Sequence, residues 1–206
     1  MSEVLLAIDP GTRDIGIALY LHGELVLASW LKAEPNELVC CPKCAGKEAS
    51  CPHRSNPRLA HDMACEVARV IDYKRVDQLV CEVPVTFLAA RGGQSLVRIG
   101  AMIGAVSDRV LAEGGLVDWF QPSEWKGNTE KSLHQKFALQ SLSPVERDRL
   151  PSFVGKDNVQ RYRTDSLDAA LLGIKWLHMA QRRKPYAWPL RALDNVEITK
   201  KSATRK

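Results

Sequence analysis

The sequence predicts an α/β or α+β domain in which helices cover one sheet, and three observations predict it. Residues 4 to 9, 15 to 20 and 24 to 31 are apolar, β-rich or alternating runs joined by the turns "DPGTRD" and "LHGE", so close together that the strands must be antiparallel neighbours. Beyond residue 57, helical and strand patterns alternate. The helical segments place apolar residues three or four apart, which gives each a face to bury against a sheet.

The elements follow in order. The opening strands form a three-stranded meander. Residues 32 to 57, "KAEPNELVCCPKCAGKEASCPHRSNP", have no useful period and exceed a simple connection, so they read as an insert with its own reason to be ordered. From about Arg58 to Tyr73 the residues Leu59, Met63, Val67 and Val70 keep a helical spacing, and "DQLVCEVP" is a short buried strand stopped by Pro84. A loop containing "ARGG" leads to a long apolar helix from about Gln94 to Glu113, closed by Gly114 and Gly115. "LVDWFQP" reads as another strand, and Ser123 begins a helical segment that runs, with a break at "KGN", to about Gln140. Residues 141 to 162 read as a polar, irregular excursion. The last helix is "TDSLDAALLGIKWLHMAQRR", with Thr164 as N-cap and Leu167, Leu171, Ile174, Trp176 and Leu177 facing the core. Trp119, Trp125, Trp176 and Cys81 are expected in the core.

The 206 residues suit one domain with a small appendage: a body over residues 1–180 with an insert at 36–57, and a tail at 181–206. A hydrophobic share of 45% with 26% charged residues is that of a soluble globular chain. No apolar run approaches the ~18 to 20 residues of a membrane span. "MSEVLLAIDPG" lacks the basic leader of a signal peptide. The expected setting is the cytoplasm, near the nucleoid or in a host cytoplasm for a viral chain, with neither a membrane nor a small-molecule substrate as partner. The net charge of +5 is unevenly spread: residues 175 to 206 hold +7 and the remainder −2. A basic end on a near-neutral body suits a polyanion, though a solvated tail explains "ITKKSATRK" equally well.

Acids end three core elements: Asp9 the first strand, Glu82 the strand "LVCEVP", and Asp165 with Asp168 the start of the last helix. If the first and fourth strands are neighbours, Asp9 and Glu82 lie side by side, while the helical pair at i and i+3 projects from one face. Four such carboxylates repel unless cations neutralise them, and oxygen ligands suit Mg²⁺ or Mn²⁺. Two such ions about 3.5 to 4 Å apart are suited to phosphodiester hydrolysis. Each acid also has a plain reading. Asp165 and Asp168 suit the first turn of a helix, and Asp9 suits a turn. Glu82 resists one, because so apolar a strand rarely holds an ionised residue without a partner.

Four of the six cysteines fall within twelve residues. Cys41, Cys44, Cys51 and His53 form a plausible tetrahedral Zn²⁺ set of a closed, structural kind, with Cys40, His61 and Cys65 as competing ligands. Arg91 and Arg98 flank the loop after Glu82, and Lys126 and Lys131 flank the loop after Trp125; each is a candidate for a DNA phosphate or a plain surface charge. Phe87 is a candidate wedge at an opened base step, or core.

"LAIDPGTRDIGIAL", "VCEVP" and "DSLDAALLG", in that order, resemble the RuvC family of Holliday-junction resolvases in the RNase H-like superfamily, over most of residues 4 to 178 outside the cysteine insert. "QSLVRIGAMIGAV" looks like that family's long helix and "FQPSEWKGNTEKSLHQKFA" like its segment near the DNA backbone. The resemblance implies an α/β, RNase H-like fold with a mixed five-stranded sheet whose first three strands are antiparallel. It implies a homodimer that nicks four-way DNA junctions with two Mg²⁺ or Mn²⁺ per site. Asp9 would bridge both ions, Glu82 complete one site, and Asp165 with Asp168 the other. Two departures stand out: bacterial members often have His at the position of Asp165, and the "CPKCAGKEASCPH" insert is foreign to the pattern. The alternatives are another nuclease on the same core, acting on branched DNA or RNA-DNA hybrids or belonging to a transposon or phage, and a zinc-stabilised DNA-binding protein with an inactive site. A sugar kinase or actin-like ATPase shares "IDPGT" but needs a second Gly-rich motif and a second domain.

Overall fold

Four consecutive residues of the first strand, Leu5, Leu6, Ala7 and Ile8, are all buried. An alternating strand buries one face; a continuous apolar run is buried on both, and so belongs in the middle of a sheet with helices on either side. The computed structural model, which describes residues 3–11, 14–32, 56–83, 93–126, 131–155 and 160–180, puts it there. Strand β1 (Val4–Pro10) pairs antiparallel with β2 (Asp14–Leu21), which pairs antiparallel with β3 (Glu24–Lys32). On its other edge β1 pairs parallel with β4 (Gln78–Glu82), which pairs parallel with β5 (Leu116–Phe120). The order is β3-β2-β1-β4-β5, the mixed five-stranded sheet with three antiparallel strands that was expected. The β2–β3 turn uses His22 and Gly23, both at positive φ (52° and 82°), which matches the twist of a tight hairpin.

Helices α1 (Asn56–Val70) and α2 (Gly93–Ala112) cover one face, with Met63, Val67, Met102 and Val106 against Leu6, Ile8, Ile17 and Leu79. After the short helix α3 (Pro122–Trp125), α4 (Lys131–Ser141) and α6 (Thr164–Met179) cover the opposite face, where Leu139, Leu167 and Leu171 meet Leu5, Ala7, Ala18 and Val80. Tyr20 locks α6 down: its hydroxyl donates to the Ala170 carbonyl at 2.6 Å. A Cβ on Gly173 would lie 2.4 Å from the Tyr20 ring, so the helix approaches this closely only with glycine there. No helix among the described residues is long and apolar enough to cross a membrane.

Residues 141 to 155 and 160 to 162 are not an irregular excursion. They form α5 (Pro144–Asp148) and a hairpin of β6 (Ser152–Val154) and β7 (Gln160–Tyr162). The signal was present in "SPVE": Ser143 and Glu146 form a capping box with Pro at the first helical position. The Glu146 carboxylate, itself buried, also accepts the Leu25 backbone N–H at 2.8 Å, and the Arg149 guanidinium donates to the Leu25 carbonyl. This clamp falls where the β2–β3 register slips, Leu19 opposite Leu27 and Tyr20 opposite Leu25, so that Val26 is the extra residue of a bulge.

Two smaller expectations also change. Trp119 is 57% exposed rather than core, because β5 is an edge strand; its indole N–H donates to Ser107 Oγ at 3.2 Å. Thr164 is the first residue of α6, and Arg163 stands at the cap position without a side-chain capping bond. Trp125, Trp176 and Cys81 are buried as expected.

Candidate active site

The register of the parallel pair brings the first two acids together. Ile8 is level with Cys81, so Asp9 and Glu82 follow side by side. Strand alternation turns both toward the face covered by α6, the face to which Ala7 and Val80 contribute core. The other two acids arrive from above. Asp165 and Asp168, at 8% and 1% exposure, lie three residues apart at the start of α6, Asp165 in its first turn and Asp168 just beyond it.

That helix can come so close because of a glycine. Gly16 is opposite Asp9 in the β1–β2 register, and a Cβ on it would lie 1.9 Å from the Asp165 carbonyl oxygen. Glycine in a strand interior marks such a backbone approach. Ser166 ties the same turn to β3, its hydroxyl donating to the Ser29 carbonyl at 2.8 Å.

The electrostatics record the convergence. Burial pushes the Asp9 carboxyl up to about 8, the charges of Asp168, Glu82 and Asp165 add to the effect, and the Lys126 ammonium works against it. Lys126 is the cation of the site: its Nζ donates to Glu82 Oε2 at 2.6 Å and lies 3.9 Å from Asp168 Oδ2. Two neighbours that pack on each other hold it there. Its ammonium is 4.4 Å from the centroid of the Trp125 ring, its backbone carbonyl meets His134 Nε2, and His134 packs edge-on against Trp125. Gln135, on the next position of α4, donates to Asp168 Oδ1 at 3.3 Å.

The four acids singled out in the sequence therefore lie near enough on the α6 face of the sheet for Glu82, Asp165 and Asp168 to act on the Asp9 carboxyl, and Lys126 reaches Glu82 and Asp168. Among the described residues no group of three or more His, Cys, Asp or Glu side chains is arranged so as to hold a metal ion. His61 and Cys65 do meet across one turn of α1, Sγ to Nε2 at 3.4 Å, as a pair. Cys40, Cys41, Cys44, Cys51, His53, Phe87 and Arg91 lie outside the described residues, as do the side chains of Arg98 on α2 and Lys131 on α4. Sequence reasoning missed three groups that position the acids. Gly16 carried a signal, a lone glycine in a strand; Ser166 and Gln135 carried none.

No family model and no curated protein sequence matches this chain. Solved structures do. The chain is similar to T. thermophilus RuvC in complex with Holliday junction substrate at a TM-score of 0.54 and 15% identity, over 90% of this chain and 99% of that one. It is similar to the Thermus thermophilus RuvC structure at a TM-score of 0.51 and 16% identity, over 88% of this chain and 99% of that one. At such identity the likeness shows the fold: the chain has the RNase H-like fold of RuvC.

Proposed function

We propose that this chain is a Holliday-junction resolvase, a metal-dependent endonuclease that hydrolyses phosphodiester bonds in four-way DNA junctions as a homodimer. The observation that supports this best is the placement of Asp9, Glu82, Asp165 and Asp168, brought from two strands and a helix to one point of a RuvC-like fold. A structural role needs no such meeting, since like charges gathered below the surface destabilise the fold unless a cation joins them.

The chemistry of the donors suits Mg²⁺ or Mn²⁺: the set is all oxygen, and it contains an acid, Asp9, that its surroundings hold well above the carboxylate range. Asp9, with Glu82 on one side and Asp165 and Asp168 on the other, would hold two such ions. Bound there, these ions supply an activated water and stabilisation of the leaving oxygen. The chain's own part is positional and electrostatic. Gly16 and Ser166 set the height of the α6 acids, Gln135 orients Asp168, and Lys126 offers a positive charge to the same space, where a scissile phosphate would carry its negative charge. The basic tail, Phe87, Arg91, Arg98 and Lys131 remain proposed DNA contacts. Cys41, Cys44, Cys51 and His53 remain a proposed structural Zn²⁺ site, tested by elemental analysis of the purified chain; absence of zinc would remove it.

The deciding experiment offers the purified protein a synthetic four-way junction, a fork, a duplex and an RNA-DNA hybrid in Mg²⁺ and in EDTA. Symmetric nicking of the junction, only with the metal, is the expected result. Preference for the hybrid would move the chain to another RNase H-like nuclease group, and cutting in EDTA would sink the two-ion reading. Asp9→Asn should abolish cleavage and retain junction binding.

A further inference from the structure

The acid site has Lys126 on its β4 side, and on its β3 side the structure places a feature with no part in the chemistry above. Arg163, exposed at the cap position of α6 and two residues from Asp165, stacks its guanidinium over two aromatic rings: Trp30 at 4.4 Å and Phe153 at 5.1 Å. The register shows how near this is. Asp9 faces Gly16 and Gly16 faces Trp30, so one row across the sheet runs from the acid to the aromatic. Phe153 belongs to β6 and is opposite Arg161 of β7, on the same face of that hairpin as Arg163, two residues on. Both rings lie within cation–π distance of the guanidinium and neither can accept its N–H groups as a carboxylate would, so those donors are left for an acceptor. Among the described residues Arg163 makes no ion pair, and Phe153 is 37% exposed.

We propose that Arg163, held against Trp30 and Phe153, binds a backbone phosphate of the DNA strand on the β3 side of the scissile bond. The proposal rests on the nuclease reading and gives that site the second of two flanking cations. A protein partner would be served by an apolar patch. An arginine held by two aromatic contacts, beside four acids proposed to act on a phosphodiester, fits a polyanion, because a guanidinium limited in its motion loses less freedom on meeting phosphate. The hairpin that supplies Phe153 then works as a guide for the strand.

The test measures binding of a labelled four-way junction by anisotropy across a salt series, in Mg²⁺ and on an Asp9→Asn background so that nothing is cut. Arg163→Gln should weaken binding ~10-fold, the worth of one charge-assisted contact, and lower the slope of log affinity against log salt by about 1. Phe153→Ser should weaken binding with the salt slope unchanged, since it loosens the clamp without removing a charge. Unchanged affinity and slope for Arg163→Gln would overturn the proposal. If that variant does not fold, by circular dichroism, Phe153→Ser decides: unchanged binding overturns the clamp and weaker binding supports it. Should the parent protein neither bind nor cut a junction, the nuclease reading has failed; should the parent do both while the variants match it, only the clamp has failed.

Discussion

The ammonium of Lys126 donates to Glu82 Oε2 at 2.6 Å across 44 residues of chain, and Asp168 Oδ2 lies 3.9 Å from the same nitrogen. A lysine from the loop after α3 is thus the built-in counter-charge of acids that come from a strand and a helix. Lys126→Met removes it. In EDTA the variant should unfold ~1 to 2 kcal/mol more easily, less than the loss for a fully buried pair because both side chains keep some solvent contact. Magnesium should restore most of that stability, and Mn²⁺ affinity, read by calorimetry, should rise several-fold because the acids have lost a competing cation. Cleavage should fall. Equal Mn²⁺ affinity in variant and parent would mean that Lys126 and the metal do not share the acids.

The Asp9 carboxyl predicts an unusual pH dependence. Burial and the neighbouring acids raise it from 3.8 to about 8, so the folded chain keeps a proton that the unfolded chain has released. The folded state therefore binds more protons between those values, and stability of the metal-free protein falls as pH rises from about 4 to about 8. Asp9→Asn cannot titrate there and should flatten the curve, with its advantage over the parent growing toward pH 8. Urea unfolding in EDTA from pH 5 to 8.5 measures both. Parallel curves for the two proteins would place the pH dependence elsewhere.

Gly16→Ala tests the approach of α6. The added Cβ would lie 1.9 Å from the Asp165 carbonyl oxygen, and that neighbour is backbone, so the helix start must shift. Overpacking of this kind costs typically ~1 to 3 kcal/mol, and displacement of a catalytic group by an ångström costs ~100-fold in rate. At a temperature where circular dichroism shows the variant folded, cleavage should be lost while the midpoint of unfolding moves only modestly. Full activity would mean that the α6 acids tolerate the shift.

Much of this was legible in the residues, for identifiable reasons. The sheet was, because short turns force antiparallel neighbours and a buried run such as "LLAI" forces a central strand. The approach of the other three acids to Asp9 was, because ionised residues at the ends of apolar elements are costly enough to need a cause. The role of Lys126 was harder to see. Its distance in sequence from Glu82 conceals a contact that exists only once β4 and α3 are folded, and a loop lysine reads first as a surface charge. Gln135 and Ser166 were silent because an amide or hydroxyl on a helix looks alike whether it bonds a carboxylate, a backbone carbonyl or water. The β6–β7 hairpin was hidden by short strands and polar composition, although the capping box before it could have been read.

Gln135 separates orientation of an acid from its charge. Its amide is 2% exposed and donates to Asp168 Oδ1 at 3.3 Å, so it holds one oxygen of a carboxylate whose other oxygen faces Lys126. Gln135→Met is near in volume and puts an apolar group where the donor was. The fold should lose ~1 to 2 kcal/mol for the acceptor left with fewer partners. Cleavage at saturating Mg²⁺ should fall ~10-fold, in the range found for groups that orient a metal ligand, and the Mg²⁺ needed for half-maximal rate should rise. Gln135→Glu sharpens the reading. It keeps the shape but turns a donor into a further negative charge against Asp168, so it should be less stable than the parent in EDTA and recover more than Gln135→Met on addition of Mg²⁺. A merely structural glutamine would shift unfolding alike in EDTA and in Mg²⁺ and leave the metal dependence of the rate where it was.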